Sequence, residues 1–242
     1  MLGLLYKDLC TNRRYLLPIF FVLIFFNVVM SVMVFVGDDT IGATENPLFL
    51  TGFMGGAAFL SFLIVGAFAL NFFQTDERKK WGYYVTAVPG GIAKQVTAKY
   101  VFVALSVLLT FCICWGTNLV IRSIFDKAPD ITGVVVTLAA LSLLMRSVEL
   151  PCITVFGTKI GTQIKGGFMA VIVLALLVYG LFGDLSWIGS EDSFWESFFK
   201  FVGEFRFISL GLKLLAAAVP LYCVSCVIST RLYLKGIDRL EK

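Results

Sequence analysis

The chain has 242 residues, 59% hydrophobic and 15% charged, against roughly 45–50% and about 25% in an ordinary soluble domain, which excludes a water-soluble fold. Its net charge of +4 is not a nucleic-acid footprint, because the basic residues flank apolar runs and form no continuous stripe. Histidine is absent, which excludes metalloprotease helices of the His-Glu type, histidine-held metals and histidine proton relays.

Taken in chain order, the pattern predicts an all-α membrane protein with six transmembrane helices, an N-terminal amphipathic interfacial helix and a short cytoplasmic helix. Residues 1–14 come first: Leu2, Leu5, Tyr6 and Leu9 recur at i, i+3, i+4 and i+7, and Lys7, Asp8, Arg13 and Arg14 lie elsewhere on the turn, as in a helix lying on a membrane surface. About 20 helical residues cross a hydrocarbon core of roughly 30 Å, and six such spans are expected at 16–36, 48–73, 97–121, 131–157, 167–183 and 208–230. The first apolar run is too long for a signal-peptide core and no small-residue cleavage site follows it, so Met1 reads as the mature start.

The loops between these spans alternate in charge. One side holds 14 Lys and Arg, and the other only Arg122, Lys127, Lys200 and Arg206 together with most of the acids, so the positive-inside rule puts both termini in the cytoplasm.

The longest inner loop, 74–95, places Trp81, Tyr84, Val85 and Val88 at i, i+3, i+4 and i+7, a short helix expected to end at Pro89, Gly90 and Gly91. Two readings fit this spacing equally: a helix on the inner leaflet with Arg78, Lys79 and Lys80 toward lipid phosphates, or a docking helix for the groove of a cytoplasmic partner. The outer segment 184–207 is acidic and aromatic, and FWESFFKFVGEFRF within it reads as an amphipathic helix anchored at, or dipping into, the outer interface.

Inside the spans, Arg146 and Glu149 stand at i, i+3 on one helix face, where opposite charges pair. Each costs roughly 2.5–3.5 kcal/mol or more near the bilayer centre, so both should face the interior, as a packing salt bridge or as the lining of a polar path. Pro151 follows two residues later and is a candidate hinge. Lys213 lies close enough to the outer end of its span to snorkel, and Gly52 and Gly56 form a small-xxx-small pair that allows close helix approach. Five of the six cysteines, Cys223 and Cys226 among them, fall within apolar spans and read as small packing residues.

This order of elements resembles the ABC type-2 permease family over essentially the whole chain. LYKDLCTNRRY at Leu5 to Tyr15 and DERKKWGYYVTAVPGGIAKQVTAKY at Asp76 to Tyr100 look like its small bacterial branch, similar to peptide and antimicrobial exporter permeases, and Glu149, Pro151 and Phe156-Gly157 before Lys159 resemble its fourth-span ending. Where that branch usually carries a small residue, Leu and Pro before the third span, this chain has Ala87, Val88 and Pro89. The resemblance implies a half-transporter that pairs with a second permease subunit, as a homo- or heterodimer, above a separate ABC ATPase. It makes the helix around Trp81 to Val88 the ATPase-coupling helix, with Glu77, Trp81, Tyr84, Val85, Val88 and Pro89 as its candidate residues. It also implies export of a hydrophobic or amphipathic cargo, such as a cytolytic or antimicrobial peptide, a lipid or a drug.

Consistent with that division of labour, the chain contains no Gly-x-x-x-x-Gly-Lys-Ser/Thr loop, so ATP and Mg are expected on the partner and no cofactor in this chain. The competing reading is an ion-coupled secondary transporter or channel using Arg146 and Glu149, which the scarcity of other intramembrane charge and of an inverted repeat disfavours.

Overall fold

In hydrocarbon every backbone N–H and C=O must be satisfied within its own segment, so long uncharged runs of Leu, Val, Phe and Ala become helices. The computed structural model describes residues 2–41, 47–78, 91–124, 130–182 and 207–240, and these form five helices and no strand. They are α1 (Leu2–Ile41), α2 (Pro47–Arg78), α3 (Gly91–Ile124), α4 (Thr132–Phe182) and α5 (Phe207–Leu240). Among the described residues, Ala93–Ile124, Thr132–Ile164 and Phe207–Leu232 are long and apolar enough to cross a membrane, and Leu17–Val29 and Gly52–Phe68 are shorter apolar stretches.

The six expected spans therefore fall on five helices, with 131–157 and 167–183 on the two limbs of α4. The limbs meet at Gly157, where φ is 80° and ψ 169°. A side chain there would be strained, so the helix breaks at the residue that has none. The break lies six residues beyond Pro151, which sits inside the helical part of α4.

A second difference concerns the amino terminus, where the expected interfacial helix 1–14 and the first span are one continuous helix running through Pro18. No glycine or proline lies between Leu4 and Pro18, so nothing in the local sequence ends the first helix before the apolar run begins. Tyr6 and Leu9 are exposed on its first turns. α2, α3 and α5 likewise run past the expected span ends, to Arg78, back to Gly91 and on to Leu240.

α3 is the hub: it packs against each of the other four helices, while the most extensive pairing is between α4 and α5. Lipid offers no hydrophobic drive for this association, so close approach and hydrogen bonding must supply it. Close approach is plain where α4 and α5 cross, because a Cβ at Gly133 would lie 2.7 Å from the Ile208 nitrogen and one at Gly211 would lie 2.8 Å from Thr137 Oγ1. Thr137 Oγ1 also lies 3.1 Å from the Phe207 carbonyl as a hydrogen-bond donor. One core joins α2, α3 and α4 around Met54, Ala58, Phe62, Val107 and Val135, and a second joins α3, α4 and α5 around Tyr100, Val103, Leu150, Ile153 and Tyr222.

The outer surface is apolar. Phe21 and Phe25 of α1 are 72% and 70% exposed, and they continue into Val22, Ile24 and Val28. A surface of this kind suits acyl chains and would be an aggregation liability in water.

Candidate functional site: a polar interior

Three polar groupings lie buried between these helices. The first is the expected charge pair. Arg146 Nη1 donates to Glu149 Oε2 within α4, and the two residues are only 6% and 2% exposed. Their spacing at i, i+3 brings the groups together, and α2 makes room for them, since a Cβ on Gly66 would overlap Arg146 Nη2. The pair therefore faces the protein interior.

The second grouping was not evident from the sequence. Tyr100 on α3 lies 2.9 Å from Ser225 Oγ and 2.6 Å from Ser229 Oγ, both on α5. Ser225 Oγ donates to the Ser147 carbonyl on α4 at 2.6 Å, and Tyr222 Oη donates to the Tyr100 carbonyl at 2.7 Å. A hydroxyl has one proton, which fixes the direction of the chain: Ser225 spends its own on Ser147, so Tyr100 donates to Ser225 and Ser229 donates to Tyr100. The rings of Tyr100 and Tyr222 pack tilted at 54° with centroids 5.1 Å apart. Three helices are thus fastened at one level, beside the charge pair. The available signal was the spacing of Tyr222, Ser225 and Ser229 at i, i+3 and i+7, a polar stripe on one face of an apolar helix.

The third grouping lies toward the α3–α4 connection. Asn27 on α1 donates to Ser61 Oγ on α2 at 3.3 Å and to its own Leu23 carbonyl at 2.8 Å, and Ser61 Oγ donates to the Ala57 carbonyl. Asn118, wholly buried on α3, donates through Nδ2 to Asp130 Oδ1 at 3.3 Å and Thr132 Oγ1 at 3.2 Å. Asp130 in turn caps α4 by accepting from the Thr132 N–H at 2.9 Å, and it pairs with Arg122 at 2.9 Å. The hydrogen bond from the Thr132 side chain, then that from its N–H, Arg122 and Asn118 hold the Asp130 carboxyl below its ordinary range, outweighing partial burial.

Of the remaining expected residues, Glu77 lies within α2, while Trp81, Tyr84, Val85, Val88 and Pro89 lie outside the described residues, as does nearly all of the outer loop 184–207. Gly52 and Gly56 are exposed, and a Cβ on Gly56 would meet open space among the described residues. Lys213 is exposed near the start of α5, and the six cysteines are free thiols.

The arrangement holds polar groups that bind, orient and fasten helices inside an apolar protein, and among the described residues no cluster of acids and cysteines could hold a metal. Comparison with protein families matches residues 3–234 to the family described as ABC-2 family transporter protein. No curated protein and no solved structure matches the chain.

Proposed function

The chain belongs to the ABC-2 transporter family, as a membrane permease component of an ABC transporter, and on that premise we propose that it is the permease subunit of an ATP-driven exporter. The family match over residues 3–234 carries this reading, and the matched residues contain no phosphate-binding loop. A separate ABC ATPase supplies hydrolysis, and a second permease subunit completes the transporter. Six spans with both termini inside are the topology that the loop charges favour.

The coupling helix at Trp81 to Val88 docks on the ATPase. α3 begins at Gly91, directly after that loop, and packs on every other helix, so it is the natural element to receive the push. Tyr100 lies only nine residues along α3 and is fastened to α5, which carries the displacement into α4 through Ser225 and Ser147. Cargo of hydrophobic or amphipathic character, such as a membrane-active peptide, a lipid or a drug, suits a subunit whose described outer surface is apolar and whose polar groups are internal.

The test is co-purification. The tagged chain expressed with the ATPase encoded beside it should elute with that ATPase in fixed ratio and hydrolyse ATP. Elution alone, with flux driven by an ion gradient and abolished by Glu149→Gln, would establish the secondary transporter instead.

A further inference from the structure

The third polar grouping borders a partly open pocket of about 20 Å³, lined by Asn27, Met54, Ala57, Cys114, Thr117 and Asn118 among others. It lies where α1, α2, α3 and the start of α4 meet. Asn118 supplies the telling feature: the residue is wholly buried, both Nδ2 donations are accounted for, and Oδ1 has no hydrogen-bond partner among the described residues. An unmet buried amide oxygen is costly, and the amide and hydroxyl donors of the described lining are already engaged. Asn27 Nδ2 is engaged by the Leu23 carbonyl and Ser61, and the Thr117 hydroxyl gives its proton to the Ile113 carbonyl.

We propose that this niche is a water site, in which one water donates to Asn118 Oδ1. The volume exceeds the roughly 10–15 Å³ that a single water requires. A buried water needs two to four polar partners, and Thr117 Oγ1 accepts its second proton. Its partners lie on α3, and the niche they face is walled by Asn27 of α1 and by Met54 and Ala57 of α2, so the water sits at the seam between α3 and those two helices.

Radiolytic footprinting reads this directly and independently of transport. Hydroxyl radicals are made from water by an X-ray pulse, and Met54 and Cys114, the most oxidisable side chains of the lining, are 5% and 2% exposed. In the full chain in nanodiscs, with each rate taken relative to that of the same side chain in the denatured protein, both should be oxidised at least fivefold faster than Tyr100, which is equally buried but hydrogen-bonded to protein groups. Asn118→Leu, which removes the acceptor, should bring both down to the Tyr100 level. Ala57→Val, which narrows the niche and keeps Asn118, should do the same, and it serves if Asn118→Leu does not fold. Met54 and Cys114 no faster than Tyr100 in the unaltered chain, or oxidation unmoved by Ala57→Val, would overturn the proposal.

Discussion

Gly66 and Arg146 claim the same space: α2 admits the guanidinium of α4 because residue 66 has no side chain, and a Cβ there would overlap Nη2 while standing 3.4 Å from Cζ. Arginine tips usually move aside, but this one is buried and held by Glu149. Gly66→Ala should therefore destabilise the protein by about 1–3 kcal/mol, the usual range for overpacking. The same substitution in an Arg146→Met, Glu149→Leu background should cost much less, and thermal unfolding in detergent measures both. Equal costs in the two backgrounds would show that Gly66 is not there for Arg146.

The charge pair itself makes a second prediction. Arg146→Met alone leaves Glu149 buried without its cation and should cost about 3–5 kcal/mol, whereas replacing both by apolar residues of similar volume should cost less than either single change. This sign of non-additivity, seen in a double-mutant cycle by thermal unfolding, separates a packing pair from two independent polar residues.

Tyr100→Phe breaks the directional chain at its centre. Ser225 keeps its bond to Ser147 but loses its donor, Ser229 loses its acceptor, and the two lost bonds should together cost about 1–3 kcal/mol. Ser229→Ala added to Tyr100→Phe should cost little more, since the two hydroxyls make one bond. The contact between α3 and α5 should loosen, which cysteine cross-linking at the inner ends of the two helices would report as a slower reaction.

Outside the spans, Asp130 gives a pH dependence with a definite sign. Its carboxyl is held below the ordinary value of 3.8, chiefly by Thr132, so it is charged in the folded protein at neutrality and contributes stability there. That contribution should be undiminished from neutral pH down to about the ordinary aspartate value and lost only as acid titrates the folded carboxyl below it. The stability difference between the unaltered chain and Asp130→Asn, followed by thermal unfolding across acid pH, should shrink in that window and not above it.

Much of this interior was legible in part. Arg146 and Glu149 announced themselves because charge in an apolar run has few tolerable placements, and the structure puts them inside and in contact. Tyr100, Ser225 and Ser229 did not, because single hydroxyl residues in apolar helices commonly bond their own backbone, as Thr97 and Ser106 do here. Their partners lie 125 and 129 positions away, beyond any local pattern. Asn118 was passed over for the same reason: its partners cross from α3 to the start of α4. The helix break was sought at Pro151, where a hydrogen bond is lost, but a helix bends past a missing bond more easily than past a positive φ, and Gly157 is where the turn requires one. At the amino terminus, amphipathic spacing was silent on whether the helix continues into the next segment.

The central claim is that this permease is driven by an ATPase through the loop between α2 and α3, and one measurement meets it most directly. The chain carrying Trp81→Ala and Tyr84→Ala, tagged and co-expressed with its ATPase, is compared with the unaltered chain for ATPase recovered per permease and for ATP-dependent export. The account predicts stoichiometric recovery with the unaltered chain and, with the double substitution, a loss of at least tenfold in recovery or in export per ATP hydrolysed, while the permease remains folded. Full recovery and full ATP-dependent export by the substituted chain would contradict it.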